Sequence, residues 1–115
     1  MKELNPKWIM ENGRISIGKC IFHREIAHTP KNVTGGGWYH FDSIHTTFYL
    51  YGSSDEFGQC KKEDVVKAIE NGWVDRPCMQ DGRYGRYTFY FTNSDVLSEA
   101  LSNTEKLTKL NTKEK

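Results

Sequence analysis

Gly52-Ser53-Ser54 stands at the end of an aromatic-rich stretch, and Gly58 follows four residues after Ser54. Successive backbone N–H groups in such a turn can enclose an anion, and the two hydroxyls would add donors. A helix is expected to begin just beyond, near Cys60-Lys61-Lys62, and its N-terminus adds a favourable dipole. An ordinary strand-to-helix connection, with Ser and Asp forming local turns, uses the same residue types. Both readings stay open on spacing. Upstream, His23 in "FHREI" carries an imidazole that titrates near neutrality, the property a general base needs.

Other chemistries are less well supported. Gly35-Gly36-Gly37 leads into a strand and lacks the lysine and hydroxyl of a nucleotide-binding loop, so close backbone approach or an unusual turn is the expectation there. Cys20 and His23 have a ligand-like gap, but no second pair at zinc spacing completes it, and His28, His40 and His45 add no constellation. No metal and no cofactor is expected. Cys60, beside Lys61 and Lys62 at a helix start, has surroundings that can lower a thiol pKa, against the far commoner buried, inert cysteine.

The chain has 115 residues, enough for one domain spanning 1–115. Sixteen Lys and Arg against fifteen Asp and Glu leave a formal charge of +1, so no global electrostatic case exists for nucleic acid or an anionic membrane. Local positive potential remains possible around Arg14, Lys19 and Arg24. With no apolar run of membrane-spanning or leader length, a cytoplasmic protein is the expectation, and its three cysteines then read as free thiols.

The elements that must position these residues follow from periodicity. "RISIGKCIF" (14–22) predicts a strand, with a bulge at Gly18 placing Ile15, Ile17, Cys20 and Phe22 on one face. At most one helical turn fits before Pro30. "GWYHFD" and "TTFYLYG" predict an antiparallel hairpin, with Tyr39, Phe41, Phe48 and Leu50 on one face. Trp38, His40, Thr47, Tyr49 and Tyr51 take the other. "CKKEDVVKAIENG" predicts a helix with a stripe of Val65, Val66 and Ile69. Residues 73–85 read as loop, 86–93 as a strand, 94–110 as a further C-terminal helix and 111–115 as a disordered tail. The expected fold class is α+β, a single mixed or antiparallel sheet packed by two or more helices.

Three glycines, thirteen residues, then Tyr51-Gly52, Ser54 and Phe57-Gly58 form a pattern that resembles the Janus/ocnus family, which includes protein histidine phosphatases. Phe22, His23 and Ile26 are similar to the family's segment around its essential histidine, and "RYTFYFTN" to a strand after its second helix. The resemblance covers about residues 14–93. It implies a Janus/ocnus-like fold and a metal-free phosphohistidine phosphatase-like hydrolase with His23 as base. Gly52, Ser53, Ser54 and Glu56 would form the backbone phosphate cradle. Arg14, Lys19 or Arg24 would serve as cationic partner, a role assigned from position. The ligand would be a phosphorylated protein or another phosphate-containing molecule.

Trp38 stands where the family commonly has an arginine, and Asp55 and Glu56 bring negative charge into the anion loop. These departures favour an alternative from another class. It is a non-catalytic module on the same scaffold that binds a protein or forms a homodimer through Trp38, Tyr49, Tyr51 and Tyr90.

Overall fold

The computed structural model describes residues 4–75, 86–102 and 106–111, with the side chains of residues 74, 75, 86 and 106–111 left out. Cys78, the turn residues around Pro77 and the last residues of the tail lie outside the described residues.

The chain opens with a hairpin that periodicity did not reveal. Strands β1 (Asn5–Glu11) and β2 (Arg14–Cys20) pair antiparallel from Asn5↔Cys20 to Glu11↔Arg14. Asn12 and Gly13 turn between them with φ of 54° and 76°, the left-handed pair that matches strand twist in a two-residue hairpin. β1 is covered on both faces: Trp8 and Ile9 point to opposite sides and are both fully buried. A strand covered on both sides loses the apolar–polar alternation by which strands are recognised.

Strand β3 (Val33–Asp42) pairs with the other edge of β1, and β4 (Thr47–Tyr51) pairs with β3. The helix α1 (Lys62–Asn71) follows, then the short β5 (Trp73–Asp75), parallel to β2. Strand β6 (Arg86–Phe91) runs parallel to β4, and after α2 (Leu97–Ser102) the strand β7 (Lys106–Asn111) pairs antiparallel with β6. The fold is α+β, with one mixed sheet in the order β5-β2-β1-β3-β4-β6-β7 and two helices among the described residues. No helix among them is long and apolar enough to cross a membrane.

Three expectations need correction. No bulge interrupts β2, so Ile15 and Ile17 join the α1 side while Cys20 packs with Ile9 and Ile26 on the opposite side. In this part of the sheet the register shifts instead between Met10 and Glu11, against β3. Residues 73–75 form a strand rather than loop, because Trp73 is drawn into the core beside Phe48 and Phe89. The helix expected over 94–110 covers only 97–102. Val96 and Leu101 remain about half exposed and Ala100 alone of that stripe is buried, so there is little apolar gain from extending it. Residues 106–111 instead satisfy the backbone edge that β6 would otherwise leave open.

One face of the sheet forms the larger core, where Trp8, Met10, Ile15, Ile17, Phe48, Leu50 and Phe89 meet Val65, Ala68 and Ile69 of α1. Phe48 stacks on Phe89 with centroids 4.9 Å apart. On the other face the segment 21–32, with short 3-10 turns at His23–Glu25 and Pro30–Asn32, covers part of the sheet through Ile26. Buried Glu11 anchors this segment, its carboxylate accepting the N–H groups of His28 and Thr29.

The glycine triad lies inside the sheet, where close approach is what it permits. A Cβ at Gly36 would fall 2.5 Å from the Trp8 carbonyl oxygen, and one at Gly37 would fall 2.3 Å from that of Tyr51. Neither has a positive φ, so crowding and not backbone conformation excludes a side chain. Gly36→Ala is therefore expected to cost about 2 kcal/mol or more, from overpacking against backbone that cannot rotate away. Urea unfolding at constant m-value measures this, and a loss below about 0.5 kcal/mol would contradict the crowding.

Candidate functional site

His23 lies three residues beyond the end of β2 and opens the first 3-10 turn. The turn is fastened locally, because the Glu25 carboxylate accepts the N–H groups of Ile21, at 3.0 Å, and Phe22. The imidazole is 8% exposed, and its Nε2 lies 2.9 Å from the carbonyl oxygen of Gly37. A carbonyl only accepts, so Nε2 carries the proton and Nδ1 keeps the lone pair. Nδ1 has no protein partner among the described residues. Burial holds the His23 pKa below its ordinary 6.5; the Gly37 hydrogen bond raises it, Lys7 lowers it, and Asp55 and Glu56 raise it.

Lys7, on β1, is the cation that sequence reasoning missed. It is only 4% exposed, donates from Nζ to the Cys20 carbonyl oxygen at 2.8 Å, and sits 4.6 Å from the Trp38 ring centroid. Gly18 stands opposite Lys7 in the ladder. The signal that could have found it is Asn12-Gly13 with strand-compatible residues on both sides.

Lys7, His23 and Trp38 line a cavity of about 670 Å³ together with Phe22, Ser53, Asp55, Glu56 and Asp95. The expected catalytic residue and part of the expected loop are thus brought together. Arg14 and Lys19 are not among its lining residues. Arg14 sits beside the Asn12-Gly13 turn, and Lys19 follows Ile15 and Ile17 onto the α1 side, where it lines a separate cavity of about 320 Å³ with Tyr39 and Phe41. Strand parity decides this, since Lys7 and Lys19 lie on opposite faces. Arg24 does reach the site, its Nη1 3.6 Å from the Glu56 carboxylate, an exposed pair of small energetic weight.

The loop 52–58 differs from the expected cradle in its hydrogen bonds. Gly52 donates its N–H to Ser94 O at 2.8 Å, and Ser54 and Gly58 exchange backbone bonds of 3.0 and 2.8 Å. Buried Ser54 accepts at Oγ from the amides of Glu56 and Phe57. The amides of Gly52, Ser54 and Glu56 are therefore occupied inside the protein, the local-turn arrangement that Ser favours. Ser53 and Asp55 keep amides without a partner among the described residues, and both residues line the cavity.

The aromatic set forms one contiguous stripe on the same sheet face. Trp38 is opposite Tyr51, His40 opposite Tyr49, and Tyr49 stacks on Tyr90 at 5.3 Å with an 11° interplanar angle. Burial raises the pKa of both Tyr49 and Tyr51. Cys60 is buried beneath Gly35, and burial, with Asp64 adding to it, pushes its thiol up to about 12; Cys20 is likewise pushed up to about 11. Lys61 and Lys62 do not overcome that burial, so Cys60 does not have a nucleophile's environment. No group of three His, Cys, Asp or Glu among the described residues could hold a metal ion.

NMR titration of the imidazole should show an Nε2–H tautomer titrating below 6.5. Lys7→Met should raise that pKa and Asp55→Asn should lower it further, and the reverse order would refute the electrostatic assignment. Because the unfolded chain binds more protons between the depressed folded value and 6.5, His23 makes stability rise with pH through that window. The contribution is fully present above 6.5 and is lost as pH falls below it.

In comparisons with protein-family models, curated proteins and solved structures, nothing matches this chain.

Proposed function

We propose that the cavity is the active site of a metal-free phosphohistidine phosphatase-like hydrolase on a Janus/ocnus-like scaffold. The observation that carries the reading is the state of His23: buried, proton fixed on Nε2 by Gly37, Nδ1 without a protein partner among the described residues, and a buried lysine lining the same cavity. A depressed pKa keeps the imidazole neutral at pH 7, as a base must be.

In the reaction, Nδ1 takes a proton from water as its oxygen attacks phosphorus. The new P–O bond forms as the P–N bond to the substrate imidazole breaks; the leaving nitrogen keeps the electron pair and takes a proton from solvent, and His23 then returns the proton it holds to solvent. The Lys7 ammonium faces the non-bridging oxygens and the amides of Ser53 and Asp55 add donors, which is where stabilisation of phosphoryl transfer is needed. Arg24 offsets the charge of Glu56 at the mouth.

The second reading, a protein-binding or self-associating module, is favoured by a different observation. The Tyr49–Tyr90 stack continues into Trp38 and Tyr51 as a partly exposed stripe, while the amides of the supposed cradle are largely spent. The two readings separate in one assay. Phosphorus NMR of a phosphohistidine peptide should show turnover that a chelator leaves intact and that His23→Ala lowers by about 10³-fold, within the usual worth of a general base. Lys7→Met should lower kcat/KM by at least about tenfold through lost charge stabilisation. A wild-type rate equal to buffer would reject the hydrolase and turn attention to the aromatic stripe.

A further inference from the structure

The cavity is polarised from floor to rim. Its cation, Lys7, is buried at the sheet, whereas the three carboxylates lining it, Asp55, Glu56 and Asp95, belong to exposed residues. Glu56 is paired with Arg24. Asp55 and Asp95 have no ion-pair partner among the described residues, so two uncompensated negative charges flank the entrance. The cavity is also lined by the nine-tenths buried His23, whose Nδ1 has no protein partner among the described residues.

From this arrangement we infer that the site selects an anionic phosphoryl group carried next to positive charge, that is, a phosphorylated side chain flanked by lysine or arginine in a peptide. The inference rests on the proposed seating of a phosphoryl group at Lys7. A free phosphate or a bare nucleotide must pass Asp55 and Asp95 with only repulsion from them. A basic phosphopeptide brings its own cations to those two carboxylates while its anion reaches Lys7, so attraction acts at both ends. Like-charge juxtaposition rejects the wrong ligand as strongly as the matched pairs favour the right one.

The test uses two pairs of peptides on the whole chain. Each pair carries the phosphoryl position flanked either by lysines or by glutamates, one pair as phosphohistidine for turnover and one as an inert phosphonate isostere for binding. The lysine-flanked isostere is expected to bind about tenfold tighter at low salt, with the preference shrinking as salt rises. In Asp55→Asn/Asp95→Asn the preference should fall within about twofold, with the Ser53 and Asp55 amides kept in place. Equal binding of the two isosteres, a preference untouched by the double substitution, or no binding of either overturns the inference. Turnover without flank preference leaves the hydrolase standing and removes only this selectivity. A flank preference in binding without turnover of either phosphohistidine peptide removes the hydrolase and keeps the selectivity.

Discussion

His23 can lie close against the sheet because Gly36 presents no side chain there. A Cβ on Gly36 would come within 3.1 Å of the imidazole Cδ2 as well as striking the Trp8 carbonyl. The Gly37 carbonyl is then close enough to hold Nε2, and the same absence of bulk lets Trp8 Nε1 approach Tyr51 O at 3.4 Å. Three strands and the catalytic candidate are thus locked through one short run of bare backbone. Glu11 completes the arrangement from the other end of the segment by holding the amides of His28 and Thr29. The imidazole is thus held at Nε2 by main chain, and the segment that carries it is tied down by the buried Glu11 carboxylate.

Much of this was visible in the residues themselves. The β3–β4 hairpin has the parity read from its aromatics, Val65 and Ile69 are the buried stripe of α1, and the glycine triad marks close approach as its place before a strand suggested. What escaped detection did so for physical reasons. β1 is buried on both faces, so its pattern looks like neither a half-exposed strand nor an amphipathic helix. Lys7 carries no signal of its own, because nothing local announces that it faces the cavity from the inner strand β1. Arg14 and Lys19 were drawn toward the site by their nearness to His23 in the chain, whereas strand parity and distance along the ladder remove them. The occupied amides of loop 52–58 depend on Ser54 folding back on its own turn, a choice that Ser makes in many loops and that spacing alone does not decide.

The electrostatics of the cavity follow from depth. A charge at its floor is shielded from water and acts strongly on whatever enters, while the rim charges are softened by solvent and salt. His23 feels both, and burial outweighs the acidic neighbours that would favour its protonation. Under the proposed reading, a neutral base beside a buried cation suits a pocket that receives an anion, and the acidic rim would set it apart from a general anion trap.

The sheet order has a consequence for how the chain assembles. β1 lies in the interior; β2 and β3 are laid on its two edges, β4 on β3, β5 on β2, β6 on β4 and β7 on β6. Every strand is added to a free border of what precedes it in the chain, and none has to be threaded between two strands already joined. A polypeptide emerging from its amino end can therefore extend the sheet outward in the order of synthesis, with each open margin serving as the template for a later strand. The two parallel pairings, β2–β5 and β4–β6, span long stretches of chain and fall late in that sequence, after the antiparallel centre can already stand.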